Sequence, residues 1–279
     1  MIYIDLDPST GSGQARVPAL GFGTWQLDGR DARTAVADAL DLGYRHIDTA
    51  QMYENESKVG QGLRDADVDR DALFLTTKVA MDNYEYRKLI ASADDSLRKL
   101  KTEVVDLLLL HWPSDEVELE ESLDALQEVQ HAGKTRHIGV SNFTPSLLRR
   151  ALEIAPSLVN NQVEYHPYLS QEKLLDVVRE RGLFLTAYSP IARGTVLDED
   201  AVQEIAEAHG KSPAQVVIRW HLQQDRVAAI PKASSAEHRR ANFDVFDFAL
   251  SSDEMDRIHG LAHDDGRMID PEWGPDWER

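Results

Sequence analysis

Cysteine is absent from this 279-residue chain. Without thiols there is no disulfide framework and no thiolate metal site, and a reducing compartment, the cytoplasm, is the expected setting. Long apolar runs are also missing: none approaches the ~18–20 residues that span a bilayer. The opening stretch MIYIDLDPST is acidic and has no basic segment, so it does not read as a secretory signal. Basic charge is scarce as well. Lys and Arg together number 30 against 49 Asp and Glu, a net charge of −19, and only 9 of the 30 are lysines. A surface of that sign repels nucleic acid and anionic membranes, and neither is an expected partner. The same imbalance suits a halophilic protein, because concentrated salt screens the repulsion between carboxylates. The competing reading is an acidic protein with no salt requirement.

A hydrophobic fraction of 42% is enough for a sizeable core. Strand-like and helix-like runs alternate eight times, the pattern of a parallel sheet covered by helices. The strands are expected at 19–25, 44–50, 73–79, 105–112, 136–142, 158–166, 183–190 and 227–233. Amphipathic stretches lie between them, for example DARTAVADALDLG and YRKLIASADDSLRKL. Gly43, Gly133 and Gly182 read as helix stops, and Asp31 and Ser212 (before Pro213) as helix starts. Two helix-like runs, 199–209 and 213–224, precede the last strand, so one is additional. The expected fold is α/β: a (β/α)8 TIM barrel forming a single domain over residues 1–279. Residues 1–18 read as an N-terminal β-hairpin turning at Gly11–Gly13, and residues 260–279 as a polar, turn-rich C-terminal tail.

Four polar residues stand where such strands run out into loops: Asp48, Tyr53, Lys78 and His111. The C-terminal strand ends of a (β/α)8 barrel form its active-site face. Taken singly, each residue has an ordinary packing explanation; their coincidence on three strand ends of one barrel is the signal. Together they suit reduction of a carbonyl. The hydride must come from a nicotinamide, since no side chain supplies one. A phenol of pKa ~10 is a poor acid, so Tyr53 needs a cation that favours its phenolate. Lys78 supplies that field in this reading, Asp48 holds the ammonium, and His111 orients the substrate oxygen.

The stretch Gly43-Tyr44-Arg45-His46-Ile47-Asp48-Thr49-Ala50, followed by Tyr53, Glu56 and Gly60, resembles the first signature of the aldo-keto reductases. Thr76-Thr77-Lys78, His111-Trp112-Pro113, Gly139-Val140-Ser141-Asn142, Asn161-Gln162, Tyr188-Ser189-Pro190 and Ile230-Pro231-Lys232 extend the resemblance in order over about residues 17–272. The compact loops are most similar to the prokaryotic 2,5-diketo-D-gluconate reductase branch. The resemblance implies a monomer that binds NADPH without a Rossmann domain and uses Asp48, Tyr53, Lys78 and His111 as a catalytic tetrad. It further implies that Ser141, Asn142 and Gln162 hold the carboxamide and that Tyr188 stacks on the nicotinamide. Gly23, Thr24, Ser189, Ser234 and Asn242 complete the cofactor site it implies, with Trp25 and Trp112 as substrate walls. Trp273 or Trp277 could join those walls from the tail, or simply pack the rim.

Two positions depart from the family pattern. Lys232 is kept, but Ala233 replaces the usual Ser and His238 stands where an Arg clasps the 2′-phosphate. A neutral imidazole cannot form that bidentate contact, so relaxed selectivity, with NADH as a second cofactor, is expected unless the adjacent Arg239 reaches the phosphate. Ala80 occupies a position commonly aromatic in the family and should reshape the substrate pocket. Other motifs fall away. Gly210-Lys211-Ser212 lacks the upstream glycine of a P-loop, and Gly11-Ser12-Gly13 opens no helix. His259 and His263 have no glutamate between them, so no metal site is expected. Two alternatives stay open: a Schiff-base aldolase using Lys78, and a nicotinamide-binding sensor with little turnover.

Overall fold

The computed structural model describes residues 1–7 and 16–277. Eight parallel strands form one sheet in chain order: β3 (Phe22–Gly23), β4 (His46–Asp48), β5 (Phe74–Val79), β6 (Val105–Leu110), β7 (Thr135–Ser141), β8 (Leu158–Glu164), β9 (Phe184–Tyr188) and β10 (Val227–Ala229). The sheet curls until its edges meet. Gly21 donates to the Ala229 carbonyl at 2.9 Å, and Ala229 donates back to Ala19 at 2.8 Å. A parallel bridge between Leu20 and Ala229 marks that closure. At the same seam a Cβ on Gly23 would lie 2.7 Å from the Ile230 carbonyl oxygen, so only glycine allows the strands to approach. The result is the expected (β/α)8 barrel; seven expected strands contain an observed one, and the strand expected at 136–142 runs one residue earlier, Thr135–Ser141.

Helices α1 (Gly29–Leu42), α2 (Glu56–Asp65), α3 (Tyr86–Leu100), α4 (Leu119–His131), α5 (Pro145–Ile154) and α6 (Glu172–Arg181) alternate with the strands. Both α7 (Asp200–His209) and α8 (Pro213–Leu222) precede β10, which accounts for the additional helix. Their buried stripes, such as Ala32, Val36, Ala39 and Leu40 on α1, bear on the sheet. This is why β5 and β6 are buried at every position. Ser212 caps α8 through a reciprocal capping box with Gln215. Gly43 and Gly182 end α1 and α6 with φ of 114° and 70°. Asp31 is not a helix start. The helix begins at Gly29, with Asp28 in the cap position, which leaves Asp31 in the first turn, where its charge favours the helix dipole.

Before the barrel, β1 (Tyr3–Asp5) pairs antiparallel with β2 (Arg16–Pro18), as a hairpin requires. Its expected turn, Gly11–Gly13, lies outside the described residues. Ile4, Leu6 and Val17 are buried, and the Pro18 carbonyl lies 3.1 Å from Nδ1 of His46, the first residue of β4. The hairpin therefore sits at the N-terminal end of the strands. After the barrel come α9 (Ala236–Phe243), α10 (Ser252–His259) and the tail.

Candidate active site

Side chains alternate across a strand, so every second residue enters the barrel. Here those positions are unusually polar towards one end: His46 and Asp48, Thr76 and Lys78, Asn160, Gln162 and Glu164, then Thr186 and Tyr188. Register aligns them, with Asp48 opposite Thr76, Ser141 opposite Gln162 and Glu164 opposite Tyr188.

Lys78 is wholly buried, and all three of its N–H donors are used. It gives them to Asp48 Oδ1 at 2.6 Å, the Thr49 carbonyl at 2.9 Å and the Tyr53 hydroxyl at 3.2 Å. Asp48 uses its other oxygen to accept from Gln162 Nε2 at 2.7 Å. Across the cleft the His111 ring meets Tyr53 edge-on, with centroids 5.6 Å apart at 74°. Tyr53 reaches this cluster from a short turn, Gln51–Tyr53, after β4. The structure thus brings together all four strand-end residues.

Burial pulls the Lys78 ammonium down, but Asp48 and Tyr53 together hold it above its ordinary value. His111 is pushed well below the imidazole range, by burial and then by the Lys78 charge, and is neutral. Its Nδ1 has no hydrogen-bond partner among the described residues. Tyr53 departs from expectation. Its residue surface is only half-buried, yet its hydroxyl end lies beside the fully enclosed Lys78 Nζ. Burial raises the phenol above its usual value, and the attraction of Lys78 offsets that only in part. The neighbouring ammonium moderates the phenol's weakness as an acid without overcoming it.

Ser141, Asn142, Gln162 and Tyr188 lie next to this cluster and bind one another. Tyr188 donates to Asn142 Oδ1 at 2.7 Å, Asn142 Nδ2 donates to the Ser141 hydroxyl at 3.1 Å and the His111 carbonyl at 3.0 Å, and Ser141 donates to the Gln162 carbonyl at 2.7 Å. Asn142 takes the left-handed conformation, φ 64°, which asparagine tolerates better than most residues. Thr24 donates its hydroxyl to the Asp48 carbonyl at 2.9 Å. The loop after β9 holds three non-glycine residues at positive φ, Ser189, Ala192 and Arg193, a concentration of strain typical of functional loops.

On the outer side, Lys232 Nζ is 3.1 Å from the Ser234 hydroxyl. His238 is exposed in the first turn of α9, which Ser235 caps, while Asn242 is buried. Arg239 is not available for a phosphate. Its guanidinium binds Asp38 at 2.6 Å and the carbonyls of Ala233 and Ser234 at 3.2 and 2.8 Å. Ala80 donates its backbone N–H to Gln51 at 2.9 Å. Trp112 meets both tail tryptophans edge-on, Trp273 at 5.0 Å and Trp277 at 6.3 Å. Trp25 stands exposed with the Arg193 guanidinium 5.8 Å above its ring. Glu164, fully buried at the end of β8, was missed; its only sequence signal is an acid inside an otherwise strand-like run.

The Aldo/keto reductase family model matches residues 19–263. The methylglyoxal reductase DkgB of Escherichia coli O157:H7 is 38% identical over 267 residues, 94% of this chain and 99% of that one. Glyoxal reductase of Bacillus subtilis (strain 168) is 41% identical over 254 residues, covering 89% and 90%. A crystal structure of a putative 2,5-diketo-D-gluconic acid reductase B superposes with TM-score 0.95 at 43% identity, covering 100% of this chain and 98% of that one. A mutant of Gox0644 solved in complex with NADPH gives TM-score 0.89 at 35% identity, covering 96% of each. A barrel with this polar cluster at its C-terminal mouth is an oxidoreductase of the carbonyl-reducing class. The chain belongs to the aldo/keto reductase family.

Proposed function

We propose that this chain reduces small aldehydes and ketones to alcohols with NADPH, Tyr53 giving the proton. The observation that carries the reading is the chain Asp48–Lys78–Tyr53, with contacts of 2.6 and 3.2 Å, facing the His111 ring. Bound NADPH supplies the hydride. The side chains beside the tetrad suit its carboxamide. Gln162 has committed its NH2 to Asp48 and keeps a carbonyl oxygen to accept, Ser141 and Asn142 add hydroxyl and amide groups, and Tyr188 offers an aromatic face.

The raised Tyr53 keeps its proton at neutral pH and stands loaded as the donor. As the proton leaves for the carbonyl oxygen, the Lys78 ammonium stabilises the phenolate, and Asp48 fixes that ammonium in charge and position. Neutral His111 orients the substrate oxygen. Lys78 is a poor imine former here: it has no lone pair while protonated, and all three donors are engaged. Methylglyoxal-like dicarbonyls, keto-sugar acids and aromatic aldehydes are the candidate substrates, and the apolar surface that Trp112 forms with the tail tryptophans suits the aromatic ones. The relatives named for methylglyoxal, glyoxal and diketogluconate support the dicarbonyls and the keto-sugar acids.

We read the protein as a cytoplasmic monomer in which Lys232 would meet the 2′-phosphate, with His238 in place of an arginine and Arg239 held by Asp38. Loss of one charge-assisted contact, about 1.5–3 kcal/mol, relaxes the preference for NADPH over NADH by roughly ten- to a hundredfold. Steady-state loss of absorbance at 340 nm, on a carbonyl panel with each cofactor, tests both points. Turnover of none of these carbonyls removes the reductase reading, and a preference for NADPH above about a thousandfold in kcat/KM overturns relaxed selectivity.

A further inference from the structure

We propose that Glu164 is a positioning residue that latches the C-terminal tail across the barrel mouth and thereby sets the enzyme's tolerance for substrate size. The proposal rests on the carbonyl-reductase reading of the site. The mechanism above makes no use of this carboxylate, although it is fully buried at the end of β8. A buried carboxylate persists only where donors replace its water. Oε1 accepts from the Met268 backbone N–H at 2.9 Å and lies 3.0 Å from His166 Nε2. Oε2 accepts from the Ile269 N–H at 3.0 Å and lies 3.7 Å from the Arg267 guanidinium. Three of these four partners are consecutive tail residues, a hundred positions further along the chain.

Two of the donors are backbone amides, so the carboxylate fixes the path of the tail and not merely a side-chain rotamer. The approach to the latch is tight: a Cβ on Gly266 would lie 1.9 Å from the Tyr168 carbonyl oxygen. Beyond it, the Arg267 guanidinium sits 3.5 Å from the centre of the Trp277 ring. Trp277 and Trp273 in turn face Trp112, the residue after His111. One wall of the substrate mouth therefore comes from the barrel and the other from the tail that Glu164 holds. A three-carbon dicarbonyl needs only the tetrad, whereas an aromatic aldehyde needs both walls.

The test compares methylglyoxal with 4-nitrobenzaldehyde in Glu164→Gln, Trp277→Ala and the double variant, with NADPH affinity measured by fluorescence. In Glu164→Gln, KM for the aromatic aldehyde should rise about tenfold with kcat nearly unchanged, while methylglyoxal kinetics and NADPH affinity stay within about twofold. Added to Trp277→Ala, the same change should do little more, because both act through one wall. Equal loss on both substrates, weakened NADPH binding or full additivity would overturn the latch. Hydrogen exchange gives a readout independent of turnover: the amides of Met268 and Ile269 should be protected in the wild type and exchange about a hundredfold faster in Glu164→Gln, with β8 unchanged. Fast exchange at both amides in the wild type also overturns it, and this arm stands if the variant does not fold. A wild type that reduces neither carbonyl yet protects those amides removes the reductase reading and leaves the latch.

Discussion

At the scale of single residues, the chemistry depends on an ammonium whose three donors are all engaged and on a phenol that burial keeps protonated. Replacing Tyr53 by Phe removes the transferable proton and one acceptor of Lys78, but leaves Asp48 and the Thr49 carbonyl to hold that charge. The expected loss in kcat for Tyr53→Phe is on the order of 10²–10⁴-fold. NADPH affinity, measured by fluorescence titration, should stay near normal, and substantial residual turnover would mean that another acid acts. The four polar residues were legible in sequence because each follows or interrupts an apolar strand, where a charge has no ordinary reason to be. The direction of the Tyr53 shift was not legible, because it is a balance between enclosure by the whole mouth and one nearby cation. Nor was the role of Arg239, whose partner Asp38 lies 201 positions away on α1. Glu164 was open to suspicion as an acid among strand residues, but its amide partners at 268 and 269 lie in a tail without periodicity.

Elements position these residues through close helix contacts as much as through the strands. Gly60 lies on α2 where that helix crosses the end of α3; an added Cβ would meet the Lys99 carbonyl oxygen at 2.5 Å and the Leu100 backbone at 2.7 Å. Both obstacles are main chain and cannot swing aside. One turn earlier, Glu56 accepts the Thr77 hydroxyl at 2.7 Å, which ties α2 to the strand that carries Lys78. Gly60→Ala should therefore cost about 1–3 kcal/mol, as overpacking does, and lower kcat as well because α2 must shift. Urea denaturation with parallel kinetics checks this, and an unchanged midpoint would mean that α2 has room to move. The eight strands and the helices around them were legible from period and punctuation. The short α9 was not, since AEHRRANF buries only Arg239 and Asn242 and has no apolar stripe. It is held by its Ser235 cap, by Arg239 and by packing against its neighbours, none of which a local pattern reveals.

For the molecule as a whole, protons and salt act on the balance between folded and unfolded chains. His46, His111 and His221 are buried and pushed below the imidazole range, first by burial in each case; His221 falls to about 3. The unfolded chain binds their protons more readily, so their contribution to stability is complete above an unfolded pKa of about 6.5 and is lost as pH falls towards the folded values. Each histidine can cost up to about 1.4 kcal/mol per pH unit in that window. In about 1 M KCl, where screening suppresses the competing relief of net-charge repulsion, the urea midpoint should drop from pH 7 to pH 5, and a flat profile there would mean that these rings are protonated in the folded state. Salt poses a contest between two surface effects. Pairs such as Arg149–Glu180 and Arg150–Glu120 are exposed, contribute little and weaken as salt rises. Against them stands the self-repulsion of a net charge of −19, which the compact state concentrates and the unfolded chain dilutes. The screening length shortens from about 10 Å at 0.1 M to about 3 Å at 1 M, so both effects fade over the same range. Carboxylates outnumber cations 49 to 30, so even complete pairing leaves a large excess, and repulsion should be the greater loss. The thermal midpoint should therefore rise between about 0.1 and 1 M KCl, as the halophilic reading requires. A falling midpoint would mean that the exposed pairs outweigh the net charge, and the acidity would then have no bearing on salt.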